Sequence, residues 1–203
     1  LSGKLNNDWR IGVLNMQTRQ TTVGADQLPA TNYSVVTAQR KLFTRSAISG
    51  FIVNKETFLN GIDPSQQIGL QAFNRVAGVE FNFFTPDNKW EIESYAHQSI
   101  TPEQRPDAAS FGQYIGYHHP NIDLNFAISR IGENYQAEVG YVPRNGIYST
   151  FRPSKLVLNP RKASINKYIN SYGIGTDGKD VFDLSGKRLD SETAFFLFFN
   201  FAG

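Results

Sequence analysis

Cysteine is missing altogether from these 203 residues. That excludes a disulfide framework and a thiolate metal site, and it is compatible with an exported protein that relies on neither. Charge of one sign is nearly as scarce: 20 Lys and Arg stand against 18 Asp and Glu, and no run of five or six like charges occurs. Nucleic acid is therefore not an expected partner. No apolar run approaches the ~18–20 residues of a membrane helix, and no basic-then-apolar leader opens the chain. The first residue is Leu rather than Met, and "LSGKL" reads as the tail of a strand entering the turn Asn6-Asn7-Asp8. A processed product or part of a longer polypeptide is expected, so the missing leader leaves export open.

Catalytic signatures are equally thin. Of the three histidines, His118 and His119 are adjacent and point to opposite faces of any strand, leaving only His97 to join either. Ser/His/Asp and phosphate-loop patterns are lacking. "GIGTDGKD", residues 173–180, is glycine-rich but no helix follows, so it reads as a β-turn with Thr176-Asp177-Gly178 at its tip. Glu91 and Glu93 share a strand face and could form the carboxylate pair that glycosidic chemistry needs, although a wet interior supplies such pairs without catalysis.

What is present is alternation. With 40% hydrophobic and 13% aromatic residues the chain can fill a sizeable core. Segments of about ten residues with period-two patterning recur throughout, whereas helical periodicity is hard to find. Beyond the short N-terminal piece, strands are expected at 9–18, 33–43, 46–58, 74–84, 90–100, 110–119, 122–132, 147–158, 165–176 and 191–201.

The connections sort by length. Tight turns at Asn6-Asn7-Asp8, Thr44-Arg45, Pro86-Asp87-Asn88-Lys89, Pro120-Asn121 and Asn159-Pro160-Arg161-Lys162 alternate with long stretches at 19–32, 59–73, 101–109, 133–146 and 177–190. In an up-and-down antiparallel array this puts all tight turns at one end and all long loops at the other, as in outer-membrane barrels.

The faces of the strands carry the same suggestion. Ala77, Val79, Phe81 and Phe83 share one face and Asn74, Val76, Gly78, Glu80 and Asn82 the other; Ile122, Leu124, Phe126 and Ile128 oppose Asp123, Asn125, Ala127 and Ser129. An apolar face over a polar one fits a wall between hydrocarbon and a wet lumen, and equally a sheet with one solvated side. Trp9 and Trp90 each follow a tight turn, where an interfacial aromatic belt would lie. In the closing "TAFFLFFNF", Phe195, Leu197, Phe199 and Phe201 would meet lipid, while Phe196 and Phe198 would pack inside the wall or under a plug.

Residues 132–153, "GENYQAEVGYVPRNGIYSTFRP", resemble a stretch in a family of large Gram-negative envelope proteins. In that family the N-terminal part looks like a carbohydrate-binding module, and the C-terminal part is an uncharacterised domain expected to form an outer-membrane barrel. The opening "LSGKLNNDWRIGVLNMQT" and "FNRVAGVEFNF" look similar to the same domain, so the resemblance spans most of the chain but only the C-terminal part of the family's length. No carbohydrate-module segment is visible, and sugar recognition carries over to no residue. Within the motif, glycine and proline punctuate a long loop, and Arg144 could clamp Glu133 or Glu138.

The expected fold is all-β: an up-and-down antiparallel transmembrane β-barrel, with residues 1–203 forming one barrel domain or the C-terminal part of a larger one. The odd number of segments implies missing strands, because single-chain bacterial barrels have even counts. The expected function is non-enzymatic and cofactor-free, as a pore, an anchor or a subunit of an envelope complex in the bacterial outer membrane. Its partners would be outer-membrane lipid and other envelope proteins. Glu80, Asn82, Glu91, Glu93, Asp123 and Asn125 are the candidate lumen-facing polar residues, and Glu133, Glu138 and Arg144 the candidate loop-ordering ones. The alternative is a soluble all-β carbohydrate-binding or glycoside-processing domain.

Overall fold

A computed structural model describes residues 1–161 and 163–202. Within them the chain is almost all strand: β1 (Ser2–Lys4), β2 (Trp9–Gln17), β3 (Thr21–Val23), β4 (Asp26–Leu28), β5 (Ala30–Leu42), β6 (Ser46–Phe58), β7 (Phe73–Phe84), β8 (Trp90–Ile100), β9 (Ala109–His119), β10 (Ile122–Ile131), β11 (Ile147–Phe151), β12 (Ser154–Leu158), β13 (Ile169–Asp183) and β14 (Arg188–Phe201). A short helix, α1 (Ala163–Asn166), and one 3₁₀ turn at Pro64–Gln66 complete the described elements. Among the described residues no helix is long and apolar enough to cross a membrane.

The strands follow one another through an antiparallel sheet in the order β1-β2-β5-β6-β7-β8-β9-β10, then β11 and β12 side by side with β13, and β14 on the far side of β13. β3 and β4 form a separate small hairpin inside the first long connection, turning at Gly24 with φ 64°. That hairpin was not legible as strand. The expected strand 147–158 is split in two at Arg152-Pro153. Proline has no N–H for the ladder, and the Arg152 N–H bonds instead to the Gly178 carbonyl at 2.8 Å.

Four expectations near the C-terminus are corrected. The glycine-rich 173–180 is the middle of β13, not a turn: Gly173 pairs with Phe198, Gly175 with Phe196 and Gly178 with Thr193. Its glycines serve close approach. A Cβ on Gly175 would lie 2.3 Å from the Phe196 ring, and one on Gly173 would lie 2.0 Å from the Leu156 carbonyl oxygen. The reversal comes later, where the Asp183 carboxylate accepts from the N–H groups of Ser185 and Lys187, both at 2.9 Å, and Gly186 takes φ 89°.

The expected long loop 177–190 is thus a tight turn at 184–187. The expected tight turn after 158 is a longer connection holding α1; Lys162, the last residue of that expected turn, lies outside the described residues. Strand 165–176 is likewise displaced, β13 beginning at Ile169. Sorting of short and long connections holds through the first four pairs and inverts at the fifth.

By proximity the chain divides into two compact units: Leu1–Phe81, Tyr95–Phe111 and Ile131–Asn145 form the first, and Asn82–Ser94, Gly112–Arg130 and Gly146–Gly203 the second. Burial runs the same unusual way in each. In the first unit Thr31, Ser46, Thr57, Asn74, Ser99 and Ser110 are buried, while Val36, Ile52 and Val79 are half exposed. In the second, Asp180 is buried, while Leu124 is 50% exposed, Phe195 80% and Leu197 72%. Apart from Pro160, buried apolar side chains among the described residues reduce to Ile62, Val76, Tyr135, Ile147 and Val181.

Candidate functional site

Polar side chains gather on the face opposite those exposed apolar rows. In the second unit the two-residue turn Pro120-Asn121 joins β9 to β10, and such a hairpin sets His118 opposite Asp123. The imidazole Nδ1 lies 2.8 Å from Asp123 Oδ1, and its Nε2 lies 3.1 Å from Glu91 Oε2 on β8. Asp123 is shared further: Lys155 Nζ reaches its other oxygen at 3.1 Å, because Asp123 and Lys155 are register partners, and Asn125 Nδ2 donates to it at 3.1 Å. Tyr114 closes the chain, its hydroxyl donating to Asn125 Oδ1 at 2.6 Å.

Gly116 makes this network sterically feasible. A Cβ there would stand 2.7 Å from His118 Nε2, 2.7 Å from the Tyr114 hydroxyl and 3.0 Å from Asn125 Oδ1. In this ladder the His118 imidazole bridges the Glu91 and Asp123 carboxylates, and Asp123 in turn reaches the Lys155 ammonium. Such a ladder ties strands together across a polar surface. Glu91 is committed to His118 rather than held against Glu93. Among the described residues no cluster of three His, Cys, Asp or Glu side chains could hold a metal ion.

Of the expected lumen-facing residues, Glu91, Asp123 and Asn125 are thus brought together. Glu93 shares the β8 face two residues on from Glu91. Glu80, in the first unit, lies 3.6 Å from His97 Nε2, too far for a hydrogen bond. Asn82 lies two residues beyond it on β7. His118, Tyr114, Gly116 and Lys155 were missed, and the signal that could have found the first was the hairpin register across Pro120-Asn121. His119 points away to the apolar face, stacked on Tyr117, which also contacts Trp90 at 4.8 Å between ring centres.

No protein-family model, no curated protein and no solved structure matches this chain. The sites must therefore be read on their own geometry.

The long connection 132–146 is the other constructed feature. Within the first unit it is fastened residue by residue: Asn74 Nδ2 donates to the Gln136 carbonyl and its Oδ1 accepts from the Glu138 N–H, both at 3.1 Å. The Gln136 N–H donates to Ser99 Oγ at 3.1 Å, and the Glu133 N–H to Asp107 Oδ2 at 2.9 Å. Glu138 pairs with Lys55 at 2.5 Å, so its carboxylate is clamped by a lysine of β6. Glu133 contributes its main chain, also accepting from Asn145 Nδ2 at 3.3 Å, and Arg144 is exposed. Burial of the loop residue Tyr135 pushes its hydroxyl above the ordinary tyrosine range.

Proposed function

We propose that this chain forms the wall of an outer-membrane β-barrel, acting without catalysis as a pore, an anchor or a subunit of an envelope complex. The observation that carries it is the inverted burial. Val36, Ile52 and Val79 expose an apolar face in one unit, where the buried Asn74 lies on the opposite face, and Leu124, Phe126, Ile174, Phe195 and Leu197 expose an apolar face in the other, where the His118 network lies on the opposite face. Water penalises such an apolar face at roughly 25 cal/mol per Å², whereas hydrocarbon accepts it. The polar face needs solvent or partners, and a wet lumen supplies both.

Aromatics near the tight-turn end support the same assignment. Trp9, with the Arg40 guanidinium 5.7 Å from its ring centre, and Trp90 against Tyr117 each couple an apolar body to a polar neighbour, as interfacial belts do. Lipid tolerates no unpaired strand edge, so the proposal requires closure of the sheet in the membrane. It also supplies the solvent for Phe195, Leu197, Phe199 and Phe201, with Phe196 and Phe198 lying over Gly175 and Gly173 on the inner side.

Detergent dependence tests it. The folded chain should be recovered only in detergent or bilayer and should run faster on gels before boiling than after. A monodisperse monomer in detergent-free buffer would sink the proposal and favour the soluble carbohydrate-domain alternative.

A further inference from the structure

Between loop 132–145 and strands β5 to β9 of the first unit lies a cavity of about 510 Å³. It is a partly open cleft rather than a sealed void. Its walls are apolar and aromatic, with Phe51, Val53, Val76 and Tyr95 from the sheet and Tyr135 and Val139 from the loop. It sits on the polar face, where water would be the default occupant, yet most of its lining is apolar and favours an apolar occupant over water. The loop is held at both rims by the Asn74, Ser99, Asp107 and Lys55 contacts, which keep it from collapsing into the space.

One polar atom in the lining makes no hydrogen bond, Glu80 Oε1 lying 3.6 Å away from it. His97 stands between Phe51, edge-on at 4.9 Å, and Tyr95, tilted at 4.7 Å, and its Nε2 is buried without a hydrogen bond. A buried imidazole nitrogen left unsatisfied is costly, and a single such group in an apolar pocket is the usual means of orienting a ligand.

We infer that this cavity is a binding site for a neutral, mainly apolar small molecule, a single acyl chain or ring system with one hydroxyl or carbonyl that hydrogen-bonds His97. Its volume falls within the range of roughly 300–1,000 Å³ typical of small-molecule pockets. The site belongs to the first unit alone and does not depend on which solvent meets the opposite face.

The test is photolabelling of the full-length chain with decanol carrying an alkyl diazirine, mapped by peptide mass spectrometry, with and without excess unlabelled decanol. The expected result is competable labelling of peptides containing Tyr95, Tyr135 or Val139. Labelling confined to apolar-face residues such as Val36, Ile52 and Val79, or loop labelling that unlabelled decanol does not compete, would overturn the site. Ala137→Trp, which fills the cavity from the loop side, should abolish the competable label; its persistence in a folded variant would also overturn it, and Val139→Trp provides the same readout if Ala137→Trp does not fold.

A diazirine-bearing diacyl phospholipid separates the sources of an acyl chain. It should label the apolar face and not the loop, and competable loop labelling by the phospholipid would refute a small-molecule occupant. If the protein proved soluble without detergent, competable decanol labelling of the loop would still stand, so failure of the membrane proposal and failure of the site are distinguishable.

Discussion

Replacing Asn74 by alanine tests how loop 132–146 is held. Asn74 is only 1% exposed, and its amide makes two bonds to the loop main chain, to the Gln136 carbonyl and from the Glu138 N–H. Each such bond contributes about 1–1.5 kcal/mol net, so their removal weakens local docking by about 2–3 kcal/mol and raises loop opening roughly 30- to 140-fold. The Lys55–Glu138 pair and the bond from the Gln136 N–H to Ser99 remain, so the loop should open without the strands separating. Amide hydrogen exchange is the assay. Protection at Glu138 should fall by that factor while amides in β13 keep theirs. Asn74→Asp should also weaken docking, since it keeps the acceptor for Glu138 but sets a carboxylate oxygen against the Gln136 carbonyl. Unchanged exchange at Glu138 in Asn74→Ala would refute the claim that this side chain anchors the loop.

Gly173→Ala should shift the β12–β13 pairing and cost about 1–3 kcal/mol, because its Cβ would lie 2.0 Å from the Leu156 carbonyl oxygen, a backbone atom that cannot swing aside. Gly3→Ala, with nothing within 4 Å, should be near neutral, and equal urea midpoints for the two would contradict this account. In the turn 85–89, hydrogen bonds from Lys89 and the Thr85 hydroxyl hold the Asp87 carboxyl down at about 2, against an ordinary value of 3.8. Because the folded value is depressed, its contribution is fully present above 3.8 and is lost as pH falls through about 2; an NMR titration midpoint at or above 3.8 would show the turn contacts to be unimportant. Phe126→Arg should cost roughly 2–4 kcal/mol in folding into vesicles, as arginine does at mid-membrane on a lipid face. Asn125→Arg should cost much less, since Asp123 can receive the guanidinium, and equal costs measured by urea titration would count against the face assignment.

How much of this was legible in sequence depended on the range of the interactions. Alternation fixes faces, so the apolar row Ile122, Leu124, Phe126 and Ile128 and the polar row beginning at Asp123 could be read without a structure. Turn chemistry located most reversals, as at Asn6, whose Oδ1 accepts from the N–H groups of Asp8 and Trp9. It misled at Thr176-Asp177-Gly178, where Gly178 serves approach to Arg152, as Gly175 just before it serves approach to the ring of Phe196, rather than a bend, because such cross-strand packing depends on register. The Glu91–His118–Asp123–Lys155 ladder draws on four strands, and only its hairpin half was within reach of local pattern. Pairing of Glu138 with Lys55, 83 residues away, has no local signal at all.

The most direct measurement of the central claim is accessibility at two adjacent positions of β10. A fluorophore attached at residue 126 should be quenched by probes confined to lipid chains, and one at residue 125 by water-soluble probes only. Protection of residue 126 from both classes of probe would place it in a protein core and contradict the membrane wall.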